Sequence, residues 1–426
     1  MRSVADEQHG NAGSGWGDQD ALQRVHERSS ALPVGRDYVT REAIRRPVDA
    51  YPELDCVRHR TTPGVIAATE RVARTLDVGA ERVLITAREM TEDAYVVALA
   101  ATLRLGYEPL DNIARSACPL SDADLLEADR TGLLPLWIGG QPVWVIVPLT
   151  YSARRVRALA ESRPEFAAHI RLTTTQRLRK FVMRLSSGTL AHQAAESLRT
   201  DTPELSAGAR GPPRGIAWLI AAAGLIVAAL TIPNLLIGVV GGALSAVFFA
   251  WTVLRLIGAA TAWRQWPRLQ TPPDELPVYT IIVALYDEPA AAEGLVRALD
   301  RLDYPREKLQ IIFALEPDDQ ATQAALAALT HIRQFETVIA PVAGPRTKPK
   351  ALNAALAFAR GEFIAVFDAE DRPAPDQLHR ALDVFFTEGE RTACVQAQLT
   401  IDNTRDSWLA RGIMAQTPQE LNPVCT

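Results

Sequence analysis

Acidic side chains gather directly after three predicted strands in the last third of the chain. They are Asp287 and Glu288 after residues 278–285, Glu316, Asp318 and Asp319 after residues 309–315, and Asp368, Glu370 and Asp371 after residues 362–367. One carboxylate after a strand is ordinary capping chemistry, since Asp favours helix N-caps. Three clusters at one place would repel each other unless a cation binds them, and hard oxygen ligands suit Mg²⁺ or Mn²⁺. Because Mg²⁺ often shares phosphate oxygens, a nucleoside diphosphate would be a natural co-ligand.

A basic loop carries the opposite charge. Residues 345–350 read PRTKPK and lead into a predicted helix over residues 351–359. Lys348 and Lys350 therefore lie near a helix N-terminus, where anions are favoured. The loop is either a phosphate contact at the same edge as the acids or an ordinary solvated basic loop.

The elements around these residues alternate between strand and helix. The strand at residues 278–285 is followed by a helix, and the pattern continues through LQIIFAL, ATQAALAALTHIRQF, TVIAP, KALNAALAFA and EFIAVF. This alternation predicts an α/β fold with a mostly parallel sheet covered on both faces. Ligands of such sheets bind at the carboxyl ends of the strands, so the charged clusters are expected to form one site.

An uncharged apolar run occupies the middle of the chain. It covers residues 215–254, about twice the ~20 residues that one bilayer crossing needs. Pro233-Asn234 is predicted to form the turn between two transmembrane helices, residues 216–232 and 235–254, in a membrane segment of residues 215–256. Arginines on both flanks predict cytoplasmic ends. The alternative is a buried hairpin in a large soluble core, although soluble helices rarely lack a polar face over such a length.

The chain before this run divides into a tail and a small folded module. Residues 1–46 are polar and glycine-rich, and they are predicted to be a disordered tail without a secretory signal. Residues 47–205 combine helical periodicity with a strand, PVWVIVPL, and are predicted to form a small α+β module, named here the front module. A net charge of −5 provides no basic field for nucleic acid, and four dispersed cysteines argue against disulfides or a zinc site.

Residues 279–408 resemble a family 2 glycosyltransferase domain, the inverting GT-A-like domain shared by cellulose, chitin and hyaluronan synthases. The resemblance is carried by VALYDE, ALEPDD, TKPKALNAAL and VFDAEDRPAPDQL. In the family, an Asp-x-Asp-type motif binds the metal and the donor diphosphate. The resemblance implies that Asp368 and Glu370 fill the two acidic places, with Asp371 alongside, and that they bind Mg²⁺ or Mn²⁺.

The same resemblance implies the remaining contacts of the site. Family positions that contact the nucleoside are matched by Asp287 or Glu288 and by Glu316 or Asp318. Lys348 or Lys350 would stabilise the charge that develops on the departing diphosphate. The implied protein is a multi-pass synthase of the bacterial inner membrane with cytoplasmic domains at both ends. Its implied partners are a UDP-linked nucleotide sugar and a growing polysaccharide.

The front module resembles the N-terminal domain of type II secretion ATPases, through ERVLITAREMTEDAYVVALAATLRLGYEPLD. Related domains bind cyclic di-GMP through motifs that contain Arg-Leu-Gly. Here Arg104-Leu105-Gly106 stands in a different context near the end of a helix. Packing, or docking of a regulatory protein, is therefore favoured over cyclic di-GMP binding.

The end of the chain departs from the family pattern. Residues 272–411 are expected to form an incomplete transferase domain, and residues 412–426 are expected to be a divergent tail. The Thr-Glu-Asp-type general base and the Gln-x-x-Arg-Trp acceptor segment do not appear, so the catalytic base is unknown. We expect a C-terminally truncated chain with weak or absent transfer. Two alternatives stay open: a membrane-anchored binding or scaffold protein with a degenerate transferase domain, and a nucleotidyltransferase, which the lack of a glycine-rich phosphate loop disfavours.

Overall fold

The computed structural model describes residues 51–206, 215–261, 268–269, 271–389, 392–397 and 422–423. The predicted tail at residues 1–46 and most of the stretch after residue 397 lie outside the described residues. Along the chain, the front module comes first, two apolar helices follow, and a C-terminal unit begins at residue 271.

The front module contains helices and a mixed sheet. Its helices are α1 (Pro63–Leu76), α2 (Ala80–Thr86), α3 (Glu92–Leu103), α4 (Asp122–Thr131), α5 (Pro148–Tyr151), α6 (Ala153–Ser162), α7 (Pro164–Ala167), α8 (Thr175–Leu185) and α9 (Ser187–Asp201). Its strands are β1 (Gly106–Tyr107), β2 (Leu133–Ile138), β3 (Gln141–Ile146) and β4 (Ile170–Leu172), in the order β1-β4-β3-β2. Gly139 and Gly140 make the tight antiparallel turn between β2 and β3, because both adopt positive φ.

Two apolar helices follow, α10 (Gly215–Thr231) and α11 (Pro233–Thr261). They separate at Ile232, one residue before the predicted turn, and Pro233 begins α11, where its missing N–H costs no hydrogen bond. Among the described residues, Pro233–Ile257 is the one helix long and apolar enough to cross a membrane. None of its side chains is buried, which argues against the soluble-core alternative. A second crossing by the 17-residue α10 stays a prediction.

The C-terminal unit is built on a parallel sheet. Its strands are β5 (Tyr279–Leu285), β6 (Leu309–Leu315), β7 (Glu336–Ile339) and β8 (Phe363–Phe367), in the order β7-β6-β5-β8. Its helices are α12 (Pro289–Asp300), α13 (Gln320–Ala328), α14 (Lys348–Leu356) and α15 (Gln377–Glu388), and two short strands, β9 (Val395–Gln396) and β10 (Asn422–Pro423), form an antiparallel pair. Every pair in the four-stranded sheet is parallel, which confirms the predicted α/β class.

The two faces of this sheet pack against different partners. On one face, Ile281 of β5 joins a core with Leu295 of α12 and Leu382 of α15. On the other face, Ile282 joins a core that includes Ala354 of α14 and Leu190 of the front module. The front module is therefore packed against the C-terminal unit through a shared apolar core.

An ion network crosses the same contact. Arg179 of α8 donates to Asp129 of α4 at 2.9 Å and also to Glu336 at the start of β7. Glu336 accepts further hydrogen bonds from Arg360 and, at 2.8 Å, from Gln310. Burial alone would raise the pKa of Glu336, but Arg360 and Arg179 outweigh it and lower the pKa to about 2. The two arginines therefore favour the ionised form of Glu336.

Replacing Glu336 tests this network. Glu336→Gln leaves Arg179 and Arg360 without their shared anion, and we expect the free energy of unfolding to fall by about 3 kcal/mol. Denaturant unfolding in detergent measures the change. The matched control is Glu293→Gln, which breaks an exposed pair with Arg297 and should cost less than about 1 kcal/mol. Equal losses in both variants would contradict a structural role for the network.

A buried acid in the front module predicts a pH dependence. Burial, with a smaller contribution from the Glu53 carboxylate, raises the pKa of Glu81 from its ordinary 4.5 to about 7. The folded chain thus holds a proton that the unfolded chain releases, so stability falls as pH rises from 4.5 to about 7. Glu81→Gln cannot ionise and should lose less stability between pH 5 and pH 8, by on the order of 2 kcal/mol. Denaturant titrations at both pH values test this; identical pH profiles for the two proteins would contradict it.

Candidate functional site

The parallel alignment brings the ends of three strands to one edge of the C-terminal sheet, named here the carboxyl edge. β5 lies between β6 and β8, with Leu285 opposite Leu315 and Val283 opposite Phe367. The chain therefore leaves these neighbouring strands side by side, and each exit carries one of the acidic clusters. The three acidic clusters therefore follow neighbouring strands along one edge of the sheet.

The turn after β5 depends on Asp319, a residue that lay in the acidic clusters but was not among the predicted ligands. Asp287 has a left-handed φ of 57°, which Asp tolerates better than most residues. Its N–H donates to Asp319 Oδ2 at 2.7 Å, while Asp319 Oδ1 accepts the N–H of Thr322 at 3.0 Å and caps α13. Burial raises the pKa of Asp319, but the hydrogen bonds from Thr322 and Asp287 outweigh it and lower the pKa below its ordinary value. The N-cap position before α13 was the available sequence signal.

Lys350 and Glu316 lie away from the solvent. Lys350 is only 1% exposed, and its Nζ donates to the Pro341 carbonyl at 2.8 Å. Glu316 is 7% exposed, with its Oε2 at 4.0 Å from the same Nζ. This pair ties α14 to the end of β6. Lys350 would have to leave its buried position to contact a phosphate, so the geometry does not support that predicted role.

Lys348 and Asp368 form an ion pair across the carboxyl edge. Lys348 is the first residue of α14, which begins three residues earlier than the sequence predicted. Both side chains are about half exposed. The Asp368 N–H donates to Asp371 Oδ2 at 2.7 Å, so Asp371 shapes the turn after β8, whereas Glu370 is exposed.

A second ion pair at this edge involves a residue just before Lys348 in the sequence. Arg346 Nη1 donates to Asp318 Oδ2 at 2.7 Å, and both side chains are exposed. Arg346 was part of the basic loop but was not singled out as a site residue. The segment before α14 therefore contacts two of the acidic clusters, one after β6 through Arg346 and one after β8 through Lys348.

The donor atoms at this edge fit a cation that is shared with phosphate. In the part of the chain that the structure describes, no three His, Cys, Asp or Glu side chains converge as a metal cage. A cation that also takes phosphate oxygens needs only one or two protein carboxylates. Of the predicted ligands, Asp368 and Glu370 both lie outside the core, and Asp368 Oδ1 is paired with Lys348. Asp371 is less suited, since one of its oxygens accepts the Asp368 N–H.

Comparison with known proteins places a domain family on this unit. Residues 280–424 match the family Glycosyl transferase family 2. The β-monoglucosyldiacylglycerol synthase of Trichormus variabilis is 30% identical over 142 residues, which cover 33% of this chain and 30% of that protein. The chain therefore carries a glycosyltransferase family 2 domain. It spans about a third of the length of the curated relatives it matches.

Other relatives differ in their products. The succinoglycan biosynthesis protein ExoO of Rhizobium meliloti is 31% identical over 131 residues, which cover 30% of this chain and 34% of that protein. The UDP-forming cellulose synthase catalytic subunit of Pseudomonas fluorescens is 29% identical over 153 residues, covering 34% and 20%. Among solved structures, a mannosyltransferase from Pyrobaculum calidifontis in complex with GDP-Man and Mn²⁺ is 26% identical, covers 39% of this chain and 48% of that one, and has a TM-score of 0.31.

The role of Asp319 can be tested by an isosteric change. In Asp319→Asn, one side-chain oxygen becomes a donor that faces another donor, so either the Asp287 or the Thr322 N–H loses its acceptor. We expect the free energy of unfolding to fall by about 1–2 kcal/mol. The control is Asp318→Asn, which makes the same chemical change at an exposed neighbour and should cost less than about 1 kcal/mol. A similar loss from both variants, measured by denaturant unfolding, would show that Asp319 is an ordinary surface acid.

Proposed function

We propose that the C-terminal unit binds a nucleotide sugar at its carboxyl edge and transfers the sugar in a reaction that depends on a divalent metal. The observation that carries this proposal is the pairing of Lys348 with Asp368. A cationic and an anionic side chain meet there at the ends of parallel strands, within a family 2 glycosyltransferase domain. Such an edge is the usual ligand position of parallel α/β sheets.

The roles of the individual residues follow from their charges. Asp368 and Glu370 would hold Mg²⁺ or Mn²⁺, which supplies Lewis-acid stabilisation of the leaving diphosphate when it is bound. Lys348 would contact the diphosphate, aided by the N-terminus of α14, where backbone N–H groups favour an anion. Asp287, Glu288 and Asp318 would border the nucleoside.

The finer assignment concerns the donor, the acceptor and the membrane. We propose a UDP-linked donor, an inverting reaction and a growing exopolysaccharide as acceptor. The names of two relatives, a succinoglycan biosynthesis protein and a UDP-forming cellulose synthase subunit, support a polysaccharide product. The exposed apolar helix Pro233–Ile257 supports insertion in a bacterial inner membrane. With α10 as a second crossing, both folded units would lie on the cytoplasmic side.

A second candidate function is a membrane-anchored binding or scaffold protein. It is favoured by Asp319, which caps α13, and by Asp371, which accepts the Asp368 N–H in the turn after β8, because both carboxylates serve the local fold. This candidate requires that Asp368 has no ligand beyond Lys348.

Calorimetric titration of the detergent-solubilised chain with UDP and Mn²⁺ separates the two candidates. We expect Mn²⁺-dependent binding in the wild type and at least a tenfold weaker affinity in Asp368→Asn, a loss of about 1.4 kcal/mol or more. The matched control is Asp376→Asn, the same change in an exposed acid that pairs with Arg268; its affinity should stay within about twofold of the wild type. No binding in any of the proteins would favour the scaffold candidate, and equal losses in both variants would remove Asp368 from the site.

A further inference from the structure

Helix α9 of the front module lies directly against helix α14, whose first residue is Lys348. Ala194 of α9 and Ala351, Ala354 and Ala355 of α14 are buried in the same apolar core. Side chains of this size let two helix backbones approach closely. The position of α14, and of the lysine at its start, therefore depends on a surface that lies outside the transferase domain.

A hydrogen bond fixes this contact. Asn353 Nδ2, on α14, donates to the Ala194 carbonyl oxygen of α9 at 2.9 Å; Asn353 itself is exposed, while Ala194 is buried. Asn353 therefore ties α14 to α9 in one register, because a slide of either helix would break the bond. An apolar contact between alanines alone would tolerate such a slide.

The segment before α14 rests on the same helix. Gly344 has a positive φ of 90°, and a Cβ built there would lie 3.4 Å from the Cβ of Ala195 and 3.7 Å from Cδ of Lys350. α9 therefore packs against the helix that carries Lys348 and lies close to the turn that leads into it.

The front module makes a comparable hydrogen bond at the opposite edge of the sheet. Gln334 Nε2 donates to the Ile85 carbonyl at 2.9 Å. Gln334 precedes β7, which begins at Glu336, so this bond lies at the amino-terminal edge, away from Lys348. In both bonds, a side-chain amide donates to a backbone carbonyl of the front module. Only the bond from Asn353 involves α14.

We propose that Asn353 is a positioning residue of the donor site: by tying α14 to α9, it holds Lys348 at the carboxyl edge opposite Asp368. This inference rests on the proposed function. It makes α9 of the front module a structural part of the donor site. The front module would then affect donor binding through α14 without contacting the nucleotide.

The experiment compares UDP affinity in the presence of Mn²⁺, by calorimetry on the full chain. Asn353→Ala and the size-matched Asn353→Leu both remove the donor, and each should weaken UDP binding about fivefold, the effect of one lost hydrogen bond. Using two variants keeps the test informative if one of them does not fold. Gln334→Ala is the control and should leave the affinity within about twofold, because its bond lies at the other edge. Equal weakening in Gln334→Ala would overturn the proposal.

A double-mutant cycle shows whether Asn353 acts through Lys348. In a Lys348→Ala background, Asn353→Ala should have no further effect on UDP affinity, because the side chain that it positions is gone. Additive losses would indicate general damage and would overturn the positioning role. If the wild type itself does not bind UDP, the proposed function fails; if the wild type binds and the Asn353 variants bind equally well, only this inference fails.

Discussion

The parallel alignment of the four strands β5, β6, β7 and β8 is the constraint on which the rest of the site depends. Parallel strands end at one edge, and a helix that follows such a strand starts at that edge with the positive end of its dipole. α14 follows β7 and begins with Lys348, while β8 ends at Phe367 and is followed by Asp368. The topology therefore places the lysine at the N-terminus of α14 opposite a carboxylate that lies 20 residues later in the sequence.

The charges at this edge are paired with one another. Lys348 pairs with Asp368, and Arg346 pairs with Asp318. Exposed pairs of this kind contribute only about 0–1 kcal/mol, so exchanging them is inexpensive. A diphosphate with a divalent cation would offer each side chain a more strongly charged partner: the diphosphate anion for Lys348 and the metal cation for Asp368. Buried charges such as Lys350 do not have this freedom and serve the fold.

The strands and the charged edge at their carboxyl ends could be predicted from the sequence, because long apolar β-runs and the residues that follow them have clear signals. Which of Lys348 and Lys350 lies at the carboxyl edge could not be predicted. It depends on where α14 begins, and the observed start at Lys348 turns Lys350 into the core. The contact of Asn353 with α9 left no signal either, since alanines on a helix show no preferred partner. Asp319 was readable only as a helix cap, and its hydrogen bond to the Asp287 N–H requires the fold.

The most direct test of the account is a structure of the full chain with UDP and Mn²⁺ bound. We expect Mn²⁺ at the carboxyl edge, with Asp368 as a direct ligand. We also expect Lys348 to move from Asp368 to the diphosphate while α14 stays against α9. A nucleotide bound elsewhere, for example on the front module, with the Lys348–Asp368 pair unchanged, would contradict the assignment of this edge as the donor site.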